Sequence, residues 1–556
     1  MRAIGRPGKR EALIRSLQDD AGQTLWDLII IGGGITGAGV LREATRLGLK
    51  VLLIEQRDFA WGTSSRSSKM VHGGLRYLGS GQVGLTRESV QERQRLLEEA
   101  PGLVEPLPFL MGHYKGIFPG PRIFNMLLAV YDFLAGRRNH RWWRKGISDF
   151  LAPGLRVSGL EGATQFGDAV TDDARLVLRT LQEAVAEGGE VLNYVEAVQL
   201  LREGAENAGS EGLVSGVTML DRQTATKFDV RARCVVNATG AWTDELRAQL
   251  GAHAAVRPLR GSHLIVPGWR LPVAFAVSFF HQDDKRPVFA FPWEGVTVIG
   301  TTDLDHSQNM KRDASITQEE VSYLLRAANL QFPSTHLEEG DVIATYSGVR
   351  PVVSRRIQHS DADKTQPSKE KREHSVWDDA GMISVAGGKL TTFRLIALDV
   401  LKAAAPYLPV MSAVRESRIF KPVAAGEKPA SINATQWKRL VGRYGNAATQ
   451  LSVKQMNRIA HTDTLWAELE WVLENEMVVH LEDVLLRRTR IGLLLGQQVM
   501  NLLPDIRIMC QRRLGWDDAR WAQEEYAYRQ LVRHSYSLPD QEVAVTARHA
   551  VHAEVA

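Results

Sequence analysis

From Trp26 to Glu55 the chain reads WDLIIIGGGITGAGVLREATRLGLKVLLIE, and few folds accommodate such a run. Leu28 to Ile31 is a continuous apolar segment of β-formers, as a strand buried on both faces of a parallel sheet requires. Gly32, Gly34 and Gly37 then occupy the G-x-G-x-x-G positions. The first permits the tight turn, the second lets backbone approach a pyrophosphate, and the third lets helix and strand pack closely. Free N–H groups at the helix start suit phosphate. Glu55 follows about 20 residues on, at the end of the second strand, where a carboxylate accepts hydrogen bonds from ribose hydroxyls. Strand, glycine turn, helix, strand and acid in this order predict a dinucleotide-binding unit.

The next residues bear on which dinucleotide. GTSSRSSKMVHGGLRYL, from Gly62, is rich in short hydroxyl donors, among them Thr63, Ser64, Ser65 and Ser68. Where a plain NAD domain would enter another crossover helix, these hydroxyls offer a second phosphate-bearing surface, which favours FAD. A solvated serine loop is the alternative reading of the segment taken alone.

Composition restricts function further. The chain has 556 residues, 44% hydrophobic and 24% charged, with a net charge of +4, enough for a large core in several domains. So small a charge argues against a nucleic-acid binder. Cys234 and Cys510 are too few and too far apart for a disulfide framework or metal cluster. No metal site is expected, and Cys234, within RCVVNATG, reads as a buried thiol. No run of about 18 apolar residues suggests a membrane span, and the N-terminus lacks the apolar core of a secretory signal. Residues 1–23 read as a frayed basic tail, and the chain as a bacterial cytosolic protein.

Residues 121–145, PRIFNMLLAVYDFLAGRRNHRWWRK, join an apolar helix-like stretch to Arg137, Arg138, Arg141, Arg144 and Lys145 around Trp142 and Trp143. Two readings stand: a core helix followed by a solvated basic loop, or an anchor lying on an anionic lipid surface.

Over Trp26 to Thr392 the sequence resembles the FAD-dependent glycerol-3-phosphate dehydrogenases. SSKMVHGGLRYL (67–78), TDDARLVL (171–178), VNATGAW (236–242), GSHLIVP (261–267), IGTTD (299–303), YSGVRP (346–351) and GGKLTT (387–392) occur in that family's order. The resemblance implies FAD as cofactor and oxidation of glycerol 3-phosphate to dihydroxyacetone phosphate. It also implies peripheral attachment to the inner face of the cytoplasmic membrane and electron delivery to a membrane quinone, which favours the anchor reading. An oxidase handing electrons to oxygen, and a non-catalytic flavin-binding redox sensor, are the competing readings.

Several residues acquire expected roles on this basis. Ala238, Thr239 and Gly240 end a strand in a small-residue turn on which a dinucleotide can rest. Gly387 and Gly388, with Leu390, Thr391 and Thr392, open a helix whose N–H groups would face the flavin ring. A phosphate dianion needs fixed positive charge, for which Arg76, Arg350, Arg372 and Lys389 are candidates, with Tyr77 adding a neutral hydrogen bond. Proton removal from the alcohol needs a base, and His263 and His72 are the candidates, not separable by sequence.

The fold class expected is α/β. A discontinuous Rossmann-like FAD-binding domain (24–110, 165–250, 340–405) carries a β-rich substrate domain (111–164, 251–339) and an α-helical C-terminal cap (427–556). Long amphipathic helices are expected at 464–479 and 481–500, with Arg487, Arg488 and Arg490 on the second. Dimer contact, membrane contact and packing are all open roles for this cap. Residues 355–375 read as a polar insertion.

Overall fold

The structure, a computed structural model, describes residues 3–20, 22–75, 78, 81–136, 138–204, 212–354, 373–410, 418–424, 426–451 and 456–539. Its described strands form two sheets. The first is built on five parallel strands in the order Met382–Ala386, Lys227–Asn237, Leu25–Ile31, Val51–Glu55 and Glu190–Asn193. Side chains alternate between its two faces. Leu28, Ile30 and Leu53 pack under the helices Ile35–Arg46, Asp173–Ala186 and Phe393–Ala404. Ile29, Ile31, Leu52 and Ile54 pack against an antiparallel pair, Val195–Glu203 with Leu213–Asp221, and the helix Lys9–Asp19. Burial on both faces explains why these strands read as unbroken apolar runs.

The second sheet has ten strands, antiparallel except where Ala276–Phe280 lies parallel to Val104–Tyr114. At its centre Val256–Pro267 pairs with Val296–Gly300 on one side and Ala344–Val353 on the other. One face carries the helix Gln318–Gln331, begun by a capping box between Thr317 and Glu320. The C-terminal helices share a core with the other face, where Trp293, Val298 and Tyr346 join Leu485, Leu486 and Ile491.

The α/β class, the parallel dinucleotide-binding sheet and the helical C-terminal part agree with the sequence. Four expectations need correction. The N-terminal segment is not frayed: Ile4, Ile14 and Leu17 are buried, and Arg10 is buried against Asp221 while its Nε donates to the Asn193 carbonyl at 3.0 Å. The domain limits also shift, because strands 104–114, 160–171 and 344–353 all pair in the second sheet. Pairing between distant strands leaves no mark on local periodicity, so the sequence divided them at the wrong points.

In place of one helix over 481–500 there are short helical pieces, Asp483–Arg488, Ile491–Leu494 and Gly496–Leu502, with Arg490 at φ 63° between the first two. The chain turns there to bury Arg487, Arg488 and Arg490. Finally, the stretch after Pro121–Ala135 is no loop: Arg141–Arg144 is a strand paired with Leu160–Thr171. The 355–375 insertion lies largely outside the described residues, as does Arg137.

Candidate active site

The glycine turn is set by steric exclusion. A Cβ on Gly37 would lie 1.9 Å from the Gly32 carbonyl oxygen, and one on Gly32 would lie 2.5 Å from that of Ala238. Gly32 also holds φ at 116°, a conformation that L side chains rarely adopt. Gly34 leads directly into the helix Ile35–Arg46. Glu55 ends its strand and accepts from the Gly33 N–H at 2.7 Å and the Arg57 N–H at 2.9 Å. Burial raises its carboxyl pKa, and these two N–H groups offset only part of that rise.

Thr63, Ser64 and Ser65 form a single helical turn. The Ser64 hydroxyl accepts from the Ile35 N–H at 2.9 Å, so this loop meets the helix start. Thr63 bonds the Val349 carbonyl, and Ser65 donates to Trp61 at 3.5 Å. Ala238 hydrogen-bonds Ile31 at 2.9 Å, and Thr239 donates to the Asn237 side chain at 2.7 Å, which brings the 238–240 turn beside the glycine turn. Gly387 and Gly388 both have φ near +81°, and Leu390–Thr392 then forms the first turn before helix Phe393–Ala404. Thr391 donates to the His72 carbonyl at 3.1 Å. A backbone cradle that side chains would fill, donors at a helix start and a carboxylate at a strand end together fit an FAD.

The other half of the site is made of charged side chains on the second sheet. His263 lies opposite Tyr346 on one neighbouring strand and Gly300 on the other. A Cβ on Gly300 would meet the imidazole at 2.3 Å, so the glycine of IGTTD makes room for that ring. The imidazole is 1% exposed, stacks on Tyr346 (centroids 4.5 Å apart, planes 11° apart), and its Nε2 is 2.9 Å from the Ser68 hydroxyl. Burial pushes its pKa well below the usual histidine range, and the nearby Arg350 and Lys69 charges push it the same way.

Gly261 does for Arg350 what Gly300 does for His263: a Cβ there would lie 2.2 Å from the guanidinium. Arg350 reaches Asp303 at 3.0 Å, the Thr302 carbonyl at 3.2 Å and the Thr301 hydroxyl at 2.8 Å. The IGTTD segment thus aims this cation.

The structure gathers His263, Ser68 and Arg350 at the strand pair and places His72, Thr391 and Lys389 at the other end of the 67–72 segment. There the Lys389 ammonium donates to Ser89 at 2.7 Å. Ser68, expected beside the cofactor, has its hydroxyl turned to His263. Arg76, Tyr77 and Arg372 lie outside the described residues. Sequence reasoning missed Asp303, Tyr346, Asp173 and Lys69, although each stands inside a motif already quoted, IGTTD, YSGVRP, TDDARLVL and SSKMVHGGLRYL.

The family described as FAD dependent oxidoreductase matches residues 27–393, and that described as the C-terminal domain of alpha-glycerophosphate oxidase matches residues 412–521. The aerobic glycerol-3-phosphate dehydrogenase of Staphylococcus haemolyticus is 32% identical over 512 residues, covering 86% of this chain and 88% of its own. The chain belongs to the FAD-dependent glycerol-3-phosphate dehydrogenase family. The enzyme of the same name from Staphylococcus aureus is equally similar, 32% over 518 residues, covering 86% of this chain and 89% of its own. Among solved structures, a glycerol-3-phosphate dehydrogenase from Bacillus halodurans complexed with FAD has a TM-score of 0.72 at 28% identity, with 94% of this chain and 97% of that one covered. The L-alpha-glycerophosphate oxidase of Mycoplasma pneumoniae, at 15% identity and TM-score 0.56, shares the fold over 72% of this chain and 98% of its own. FAD is therefore the cofactor of this family member, and the cradle described above is where it fits.

Proposed function

We propose that this family member oxidises sn-glycerol 3-phosphate at carbon 2 to dihydroxyacetone phosphate and passes the electrons to a membrane quinone. The observation that carries the reading is His263 and Arg350 on neighbouring strands beside the hydroxyl-rich cofactor loop, in a chain whose relatives bear the dehydrogenase name. Bound FAD supplies the two-electron acceptor that takes the hydride. The chain's own residues bind the phosphate and take the proton.

Arg350, steadied by Asp303 and Thr301, presents a planar donor fork to the phosphate, and Lys389 adds a second cation. Arg76, Tyr77 and Arg372 are further candidates for the phosphate on the strength of their sequence motifs. His263 takes the hydroxyl proton. Without substrate, burial first and then the Arg350 and Lys69 charges disfavour the protonated imidazole, which leaves the ring in the form a base requires. An arriving dianion offsets that positive field and strengthens the pull of the imidazole for a proton as the alcohol is oxidised. His72, whose carbonyl bonds Thr391, suits a role in holding the cofactor loop.

The 117–150 region supports the quinone as acceptor over oxygen. Helix Pro121–Ala135 buries Phe124, Leu128 and Tyr131, yet turns Ile123, Met126, Val130 and Phe133 outward. Phe118, Trp142, Ile147 and Phe150 are exposed in the same stretch, with Phe133 and Phe150 each 84% accessible. Arg122, Arg138, Arg141, Arg144 and Lys145 stand among them, a composition suited to an anionic bilayer surface on the cytoplasmic side. No helix among the described residues is long and apolar enough to cross a membrane.

In the test, the flavin of the purified protein is bleached anaerobically with glycerol 3-phosphate and then offered a soluble quinone or air. Reoxidation faster with quinone is expected; faster with air would make it an oxidase, and no bleaching would remove the substrate. Phe133→Ser with Phe150→Ser should weaken sedimentation with anionic vesicles several-fold while flavin bleaching stays normal. Unchanged sedimentation would remove the anchor.

A further inference from the structure

Lys69 is fully buried. Its backbone sits at φ 57°, an uncommon conformation for a lysine, which turns the side chain inward beneath the cofactor loop. The ammonium lies 4.5 Å from the ring centroid of Tyr346 and 4.7 Å from that of Trp293. Its anion is Asp173, at 3.0 Å.

Asp173 is a hub. Its carboxylate also accepts from the Ser67 N–H at 2.9 Å, the Ser67 hydroxyl at 2.8 Å and Arg490 at 2.9 Å. Arg490, reaching in from the C-terminal helices, and Lys69 both donate to the Ser65 carbonyl, at 2.7 and 3.2 Å. Tyr346 donates to the Ser67 carbonyl at 3.1 Å. The turn carrying Ser68 is thus gripped on both sides of the residue that touches His263, and the ring stacked on His263 is the ring Lys69 faces.

We propose that Lys69 is a positioning residue for His263: locked by Asp173 and Arg490, it fixes the Tyr346 ring and the Ser68 turn against the imidazole and places a positive charge behind them. This rests on His263 being the base of the proposed reaction. Among the described residues the charged groups bearing on the imidazole are Lys69 and Arg350; Tyr346 is the titratable ring stacked on it, and the third strand places Gly300 opposite it. Around Lys69 stand Asp172, Asp173 and Arg490, with burial and Arg490 together pushing its own pKa down to about 8.

Removing the lysine charge should let His263 protonate more readily, so the imidazole pKa rises. The test is Lys69→Met in the FAD-loaded protein, compared with Lys69→Arg. The readouts are the acid limb of kcat/KM and the titration of His263 by NMR of ring-labelled histidine, assigned with His263→Asn. We expect Lys69→Met to move both upward by about one pH unit and Lys69→Arg to restore the acid limb. If Lys69→Met does not fold, Lys69→Gln, which removes the same charge but keeps a polar end for Asp173, is read in the same way. An unmoved His263 titration in a folded, flavin-loaded variant overturns the proposal. The NMR readout needs no substrate, so it stands apart from wild-type bleaching by glycerol 3-phosphate, whose failure would sink the proposed reaction instead.

Discussion

The glycine cradle and the charged seam beneath it hold the same cofactor loop by opposite means. In the cradle, Gly32 and Gly37 matter for what they lack, since a Cβ at either would strike a carbonyl oxygen. Beneath it, Asp58 takes Arg487 and Arg488, Asp172 takes Arg443, Asp173 takes Lys69 and Arg490, and Glu476 takes Arg175, all of them buried. Cradle contacts arise between residues close in sequence or in parallel register. Seam contacts join residues 104 to 430 positions apart, and those of Arg443, Glu476, Arg487, Arg488 and Arg490 tie the C-terminal helices to the dinucleotide sheet. The first half is therefore specified by small residues at fixed spacing, and the second by charge complementarity that only the folded chain reveals.

If the cradle works by exclusion, Gly37→Leu should show the largest effect of all. The Gly32 carbonyl it would strike belongs to a buried strand end with nowhere to move, and purified protein should carry no flavin absorbance. A variant with normal flavin content would break the exclusion account.

In the seam, Asp58→Ala leaves two buried guanidinium groups short of their shared anion, and should cost about 3–5 kcal/mol in denaturant unfolding. A loss below about 1 kcal/mol would mean that the seam is solvated and resembles a surface ion pair.

Acid should separate the halves more gently. Asp58 and Asp172 are held at about 2 against burial, chiefly by Arg488 and Arg487 around the first and by Arg443 and Arg490 around the second. Carboxyls with depressed folded pKa values give stability that is full above about pH 4, the unfolded value, and is lost as pH falls towards 2. Calorimetry across that window should show a falling Tm. Asp58→Asn should flatten part of the fall.

The smallest effect sharpens the boundary between the cradle and the strands that carry His263 and Arg350. Asp303→Asn removes the charge that steadies Arg350 but leaves the Thr301 bond, so KM for glycerol 3-phosphate should rise about 5- to 10-fold with flavin content unchanged, on the order of 1 kcal/mol. Flavin loss would place Arg350 with the cofactor and not the substrate.

How far the sequence could be read follows from the same contrast. The strand, turn, helix, strand and acid of residues 26–55 were legible because period, glycine spacing and length all agree locally. The motifs around them made His263 and Arg350 candidates, although they gave no reason for the nearby Gly300 and Gly261. A glycine opposite a histidine across a sheet becomes meaningful only when register is known. In the sequence Arg487, Arg488 and Arg490 stand only as a basic cluster on one stretch, because their anions lie at positions 58, 172 and 173. For the same reason the helix expected over 481–500 breaks into pieces: burying three guanidinium groups outweighs a regular helix. Arg10 was hidden in an apparently frayed tail because its partner, Asp221, is just as distant.

In the proposed reaction His263 performs the chemistry while the cradle holds the cofactor independently. Stopped-flow reduction of the bound flavin by glycerol 3-phosphate in His263→Ala measures this directly. A normal flavin content with a reduction rate lowered by a factor on the order of 10²–10⁴ is predicted; a rate within a few-fold of wild type would contradict it.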